Sequence, residues 1–371
     1  MEFTISKSEL VRELNLSQGV VERKTTIPIL SNVLFETDGD RIVLTATDLE
    51  LGIRCSCPAK VSKQGAGTIP AKKLLDYVRL LPDSEIQLKF GDNHWANLVC
   101  GRSRTRIPGM SRESFPELPQ MPELLAEIPI STLAAMVQRT IFAISAEESR
   151  FTLNGALLLL KSDGLTMVAT DGHRLSLVES DVPLPSLGAP YKALLPRKAM
   201  QELVKLSGDA EDGAVLRFAG DDNHLFFQIG ERLLISRRLT GNFPDYDRVL
   251  PKDHPNVVTL GRDGLRSAIE RVAQFADERS RAIRLHMGGG ELKVHSSASE
   301  TGESEETLGA EYSGPETDIG FNAQYMLDFL RSSAEENVSF HFRDAQSAGE
   351  LRPSGGDGAS RHRYVIMPMR I

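Results

Sequence analysis

Asp171, His173 and Ser176 stand within six residues and carry the side-chain types of a hydrolytic relay. A nucleophile, base and orienter must converge from different directions, which one strand or tight turn cannot supply. Neither a G-x-S-x-G elbow nor a phosphate-cradling glycine loop accompanies them. Catalysis is therefore not expected, and His173 reads as a hydrogen-bonded histidine at a surface rim. Cys55 and Cys57 are two apart in an alternating stretch, on one face if the stretch is a strand. Zinc would need two more ligands, and no second Cys or His pair offers them. With three cysteines in the chain, an odd and sparse set, no disulfide framework is expected. The cysteines read as buried strand residues, with neither metal nor cofactor.

Charge is the second kind of chemistry available. The formal net charge of −8 argues on average against a phosphate-binding surface. The average hides a segregation: six helical segments, at 6–17, 70–81, 131–142, 196–206, 264–275 and 322–333, are together net basic, and the remainder is correspondingly more acidic. Helices sharing one surface toward phosphate would need this pattern, although charged helix faces are also common where nothing binds. No segment reads as a helix for base edges, a zinc finger, a basic zipper or a single-strand stacking motif. DNA binding of this kind would be sequence-independent, weak and salt-sensitive, hence useful only if something besides affinity prevents escape.

The elements that carry these residues recur. Ile69-Pro70-Ala71-Lys72-Lys73-Leu74-Leu75 returns as Leu195-Pro196-Arg197-Lys198-Ala199-Met200 and, more weakly, as Phe321-Asn322-Ala323-Gln324-Tyr325-Met326-Leu327, with Pro70, Pro196 and Asn322 at equal intervals of 126 residues. Each copy opens with a helix-starting residue, continues with apolar residues at three and four spacing, and runs into an alternating strand at Ile86–Phe90, Val215–Phe218 or Val338–Phe342. A block from Asn32 to Asp48 is echoed from Asn154 to Asp171, each predicting a hairpin that turns on Asp-Gly (Asp38-Gly39; Asp163-Gly164), with a third copy turning at Gly288-Gly289-Gly290. Phe115-Pro116-Glu117-Leu118 matches Phe243-Pro244-Asp245-Tyr246. An amphipathic helical pattern opens each copy near Leu10, Leu133 and Leu265. Prolines 119, 122, 251 and 255 mark the joins. The fold class is α+β: three repeated domains of helices plus antiparallel sheets, at 1–122, 127–251 and 256–371.

The chain is 371 residues long, 40% hydrophobic and 25% charged, ample for three cores. Its aliphatic runs are as short as Ala156–Leu160, so no membrane span is expected. The acidic start Met1-Glu2-Phe3-Thr4-Ile5 is unlike a signal peptide, which points to the cytoplasm.

Three segments carry a family likeness: Thr170-Asp171-Gly172-His173-Arg174-Leu175, Asn242-Phe243-Pro244-Asp245-Tyr246 and the terminal Tyr364-Val365-Ile366-Met367-Pro368-Met369-Arg370-Ile371. With the threefold repeat they resemble the bacterial DNA polymerase III beta subunit, the beta sliding clamp family, over essentially the whole chain. The resemblance implies clamp domains in a head-to-tail homodimer, a six-domain ring with helices lining the hole. It implies a processivity factor on double-stranded DNA whose partners are the DNA polymerase III alpha subunit, the clamp loader delta subunit and other proteins with clamp-binding motifs. They would insert peptides rich in Gln, Leu and Phe into a cleft between the second and third domains. The matching cleft positions are Leu153, Thr170, Gly172, His173, Arg174, Leu175, Pro244, Arg248, Val249, Asn322, Tyr325, Val365, Met367, Pro368, Met369 and Arg370. Its methionines and aliphatics would make a deformable apolar surface, with His173, Arg174 and Arg370 as polar points on the rim. Matching DNA positions are Arg23, Lys24, Lys72, Lys73, Arg150, Arg197 and Lys198. At the dimer interface Arg102, Arg104, Arg106 and Ile107 would meet the region of Gln274 and Phe275, with Glu300, Glu303, Glu305 and Glu306 facing the arginines. The segment Thr105-Arg106-Ile107-Pro108-Gly109-Met110 is less apolar than the family's strand there. The alternative is a specialised or inhibitor-resistant copy acting as a protein-interaction scaffold.

Overall fold

A computed structural model describes residues 1–21, 26–147, 149–299, 302–355 and 360–370. The first repeat contributes β1 (Glu2–Ser6), α1 (Lys7–Gln18), β2 (Asn32–Asp38), β3 (Arg41–Thr47), β4 (Leu51–Pro58), β5 (Lys60–Lys63), β6 (Ala66–Pro70), α2 (Ala71–Leu80), β7 (Glu85–Phe90), β8 (Trp95–Cys100) and β9 (Ser103–Pro108). The second contributes β10 (Ala126–Pro129), α3 (Ile130–Thr140), β11 (Gly155–Lys161), β12 (Gly164–Thr170), β13 (Arg174–Ser180), β14 (Tyr191–Pro196), α4 (Arg197–Gly208), β15 (Val215–Gly220), β16 (His224–Ile229) and β17 (Arg232–Arg237). The third contributes β18 (Asn256–Gly261), α5 (Arg262–Val272), β19 (Ala282–Gly288), β20 (Glu291–Ala298), β21 (Gly302–Gly309), β22 (Thr317–Asn322), α6 (Ala323–Ser332), β23 (Asn337–Phe342), β24 (Gly349–Ser354) and β25 (Ser360–Ile366). The helices agree with the sequence-predicted segments to within three residues at each end, because three-and-four spacing of apolar residues places one stripe against a core.

The strands form two eight-stranded sheets and two smaller ones, all antiparallel where paired. One large sheet runs β10-β15-β16-β17-β4-β3-β2-β6 and the other β14-β11-β12-β13-β25-β24-β23-β18, so each is built from four strands of one repeat and four of the next. The five-stranded sheet β5-β1-β7-β8-β9 comes from the first repeat alone, and the four-stranded sheet β21-β20-β19-β22 from the third alone.

The chain packs as two compact units, residues 1–134 with 198–238 and residues 135–197 with 239–371. In the first unit α1 buries Leu10 and Leu14, and α2 buries Leu74, Leu75 and Val78. Cys55 and Cys57 lie on one face of β4, buried and unbridged, as does Cys100 on β8. Glu13 of α1 is buried and takes hydrogen bonds from Arg232 Nε and Nη2 at 3.0 and 2.8 Å, a fork matched to both carboxylate oxygens. Burial pushes the Glu13 carboxyl up, but the bonds from Arg232 and Arg12 outweigh it and hold the group below its usual range. Gly19, after α1, leaves room for Glu202: a Cβ there would lie 2.0 Å from its Oε2. In the second unit Phe321, Phe329, Phe340, Phe342 and Tyr364 are fully buried, with Phe329 and Tyr364 stacked at 5.4 Å.

Neither Asp-Gly pair forms its expected hairpin turn. Asp38 pairs with Arg41, so Gly39-Asp40 makes that turn, with Gly39 at φ +55°. Lys161 pairs with Gly164, so Ser162-Asp163 turns the second and Gly164 is already strand. Register is set by which alternate residues face the core, and a one-residue slip would bury the wrong set. The third hairpin does turn on Gly289-Gly290, both at positive φ.

Candidate peptide-docking site

Six consecutive residues build the floor of a cavity in the second unit. Thr170 ends β12 and Arg174 begins β13, with Asp171-Gly172-His173 between them. Asp171 Oδ1 accepts from the backbone N–H groups of His173 (2.9 Å) and Arg174 (3.1 Å), an Asx turn. Thr170 Oγ1 accepts from Gly172 N at 3.1 Å and donates to the Arg174 carbonyl at 2.6 Å. Gly172 sits at φ +90°, where a side chain would be strained. The turn presents Leu175 inward, beside Val365 on β25. Beneath lie Leu157, Val168, Leu177, Leu194 and Phe243, a continuous buried cluster.

The resulting cavity is about 120 Å³ and mostly apolar, lined by Leu153, Thr170, Gly172, His173, Arg174, Leu175, Pro244, Tyr246, Val249, Val365 and Met367. Val249 and Met367 are exposed at its mouth. Sequence reasoning missed Tyr246, although it closes the Asn242-to-Tyr246 block; its ring belongs to the wall. Six proposed positions lie outside the lining. Arg248 is largely exposed and pairs with Asp245 at 2.8 Å. Asn322 caps α6, its Oδ1 accepting from Gln324 N and Tyr325 N. The Met369 backbone is tied to the Gly320 carbonyl at 2.8 Å, and Pro368 and Arg370 flank it. The Tyr325 ring stacks against the Arg174 guanidinium at 4.3 Å.

Arg174 is a strut where a rim contact was expected. Its side chain is 10% exposed and every face is engaged. Nε donates to Asp171 Oδ2 (3.0 Å), Nη1 to Asp328 Oδ2 (2.5 Å) and to Tyr364 Oη (3.4 Å), and Nη2 to the Phe142 carbonyl (2.6 Å). Burial opposes its charge, but Tyr364 and Asp328 raise the pKa above the ordinary arginine value. Five donors in a rigid plane can satisfy these directions together, which an ammonium cannot. His173, by contrast, is exposed. Ser176 is fully buried, donating to the Arg139 carbonyl at 2.5 Å and sharing a hydrogen bond with His362 Nε2 at 2.9 Å. Asp171, His173 and Ser176 thus occupy three separate environments. No group of three potential metal ligands occurs among the described residues.

Of the basic residues proposed for DNA, Lys72 pairs with Asp76 (2.5 Å), Arg150 with Glu147 (2.8 Å), and Lys198 with Asp48. Lys73 and the Arg197 guanidinium form no ion pair or side-chain hydrogen bond with a described residue. Arg23 and Lys24 lie outside the described residues, as does Glu300. Arg102 in the turn before β9, and Arg104 and Arg106 on it, are exposed and Arg106 lies over Trp95, whereas Ile107 is buried in its own sheet and unavailable for a partner. Glu303 and Glu305 are exposed on β21, but Glu306 is held by Arg271 at 2.7 and 2.9 Å. Gln274 is exposed and Phe275 half-buried beside it.

A domain of helices plus antiparallel sheets, used three times, with an apolar cavity at the Thr170–Leu175 turn, defines a three-domain clamp fold. Models of the N-terminal, central and C-terminal domains of the DNA polymerase III beta subunit match residues 1–119, 127–245 and 247–370. The beta sliding clamp of Pseudomonas putida is 37% identical over 377 residues, covering all of both chains, and that of Chlamydia muridarum 33% over 373 residues, covering 100% of this chain and 99% of the relative. A crystal structure of the DNA polymerase III subunit beta from Pseudomonas aeruginosa superposes with a TM-score of 0.93 at 35% identity, over all of both chains. The chain belongs to the DNA polymerase III beta subunit family, the beta sliding clamps, and its function is that of a DNA sliding clamp. The family is a non-catalytic processivity factor of replication.

Proposed function

We propose that two copies close head-to-tail into a ring around duplex DNA, with the helices inward, and that the cavity of the second unit docks partner peptides. The observation that carries the ring is the pairing rule of the large sheets. In each, the third strand of a repeat's first hairpin set meets the last strand of the next repeat: β4 with β17, and β13 with β25. The first repeat's last strand, β9, and the third repeat's counterpart, β21, are both sheet edges. Open edges invite a strand from another chain. Pairing β9 of one protomer with β21 of the other repeats the rule and closes the contact heterologously in both directions. Arg102, Arg104 and Arg106 then run beside Glu303 and Glu305, with Gln274 and Phe275 nearby; exposed pairs of this kind contribute about 0–1 kcal/mol each, enough to orient the strands.

Arg23, Lys24, Lys72, Lys73, Arg150, Arg197 and Lys198 act as weak, sequence-independent phosphate contacts that permit sliding. The lined cavity, with Met367 and Val249 at its mouth, takes aliphatic and aromatic anchors from the polymerase III alpha subunit, the clamp loader delta subunit and other proteins with clamp-binding motifs. The chain needs no cofactor, carries out no reaction of its own, works in the cytoplasm, and divides at 1–122, 127–251 and 256–371. Sedimentation of Arg104→Glu with Arg106→Glu tests the closure. The variant is expected to run as a monomer under conditions where the wild type is a dimer, with peptide affinity unchanged; an intact dimer would contradict the β9–β21 contact.

A further inference from the structure

The turn that floors the cavity is built twice. In the first unit Thr47, Asp48, Leu49, Glu50 and Leu51 repeat Thr170 to Arg174 bond for bond. Asp48 Oδ1 accepts from Glu50 N (3.0 Å) and Leu51 N (2.6 Å); Thr47 Oγ1 accepts from Leu49 N (3.0 Å) and donates to the Leu51 carbonyl (2.8 Å). Even the neighbouring strand matches: Arg237 N donates to the Glu50 carbonyl at 2.8 Å as Met367 N does to the His173 carbonyl at 3.0 Å. Leu49 adopts φ +77°, a conformation side chains rarely take, at the place held by Gly172.

The rows crossing the sheets beside these turns also correspond. One reads Ala219, Phe226, Ile235, Gly52, Thr47 across β15, β16, β17, β4 and β3. The other reads His341, Glu350, Val365, Leu175, Thr170 across β23, β24, β25, β13 and β12. Leu175 and Val365 line the cavity; their counterparts are Gly52 and Ile235.

What covers the two rows differs. In the first, the segment after Phe115 turns inward: Leu118 and Met121 pack on Ala219, Phe226 and Ile235. A Cβ on Gly52 would lie 2.9 and 3.1 Å from the two Leu118 methyl carbons, so the missing side chain makes the seat. In the second, the residue three after the matching Phe243 is Tyr246, which stands in the wall. Farther along that row Glu350, fully buried, accepts from Arg352 and Arg363 at 2.6 Å, and Arg363 Nη2 donates to the Pro251 carbonyl at 3.2 Å. This polar cluster fixes the following segment over the Glu350 end and leaves the Leu175–Val365 end open.

We infer that the first unit holds a second copy of the docking frame, occupied in cis by Leu118 and Met121, so that each chain offers one open cavity. The chain's own segment takes the place of a partner's aliphatic anchor. This rests on the reading of the open cavity as the peptide site.

A fluorescein-labelled Gln-Leu-Leu-Leu-Phe pentapeptide titrated onto the full-length protein provides the test. The wild type is expected to take one peptide per chain and the Leu118→Ala/Met121→Ala variant two. With Met367→Asp added to close the open cavity, one site is expected to remain in the emptied variant and none in the wild-type segment. One site throughout overturns the inference; no site in the wild type overturns the peptide-site reading instead. The seat itself is tested without peptide. Leu118→Cys is reacted with dithiobis(nitrobenzoate) with and without Gly52→Leu, against the slow background of three buried cysteines. Expulsion by the new side chain is expected to speed the reaction roughly tenfold or more, as burial controls thiol access. Equal rates would overturn the seating, whatever the peptide does.

Discussion

The Arg174 guanidinium meets the Asp328 carboxylate at 2.5 Å, tying the turn that floors the docking cavity to helix α6. Because Asp171, Tyr364 and the Phe142 carbonyl share the same guanidinium, the floor of the site, the core and the turn that follows α3 form one polar knot.

Removing the arginine strands two part-buried carboxylates, Asp171 and Asp328, so Arg174→Ala is expected to cost about 3–5 kcal/mol. Arg174→Lys keeps the charge but cannot reach all the partners, and should recover only part of that loss. Thermal unfolding of both variants checks this; Arg174→Ala as stable as the wild type would show that the knot is ornamental to the fold.

His362 is buried against Phe329, with Ser176 on Nε2, and burial pulls its pKa down to about 3, the Arg139 charge adding to the effect. The unfolded chain binds that proton from about pH 6.5 downward, and the folded chain does not. Stability from this group is therefore complete above pH 6.5 and is lost on acidification, by roughly 2 kcal/mol at pH 5. His341, lowered to about 4 by burial, adds loss of the same sign. Glu350 contributes only below about pH 4.5, since Arg363 and Arg352 override its burial and hold it at about 2. Denaturant titrations at pH 7 and pH 5 are expected to show a smaller pH difference for His362→Phe than for the wild type. Equal differences would contradict the assignment.

Among the DNA candidates, Lys73 and Arg197 make no ion pair with a described side chain, while Lys72, Arg150 and Lys198 are paired in cis. Lys73→Ala and Arg197→Ala should each lower the slope of log affinity against log salt by about 0.9, and Lys72→Ala and Lys198→Ala by less. Equal losses at all four positions would mean that the cis pairs open freely on DNA.

Much of the fold is legible in the sequence. Apolar spacing located the six α-helices of the described residues, and the second copy of the repeated Phe-Pro block carries Pro244 and Tyr246 of the cavity wall. Periodicity could not fix hairpin register, which is why Asp38-Gly39 and Asp163-Gly164 each slipped by one residue. Nor does residue type reveal saturation: Arg174 looks like any surface arginine until Asp328, Tyr364 and the Phe142 carbonyl arrive from distant segments. Ile107 reads as an exposed interface residue only if the edge strand's inner face is mistaken for its outer one. The contrast between Gly52 and Leu175 depends on strand pairings between repeats, which sequence alignment of single repeats does not display.

Topological encirclement is the central claim, and retention on DNA measures it most directly. The protein is loaded by a clamp loader onto circular plasmid and onto the same plasmid linearised, at moderate salt, and the bound fraction is followed in time. Persistence on the circle with rapid loss from the linear form is expected. Equal retention on both would mean ordinary electrostatic binding and would contradict the ring; equal loss from both would leave a docking scaffold without a closed clamp.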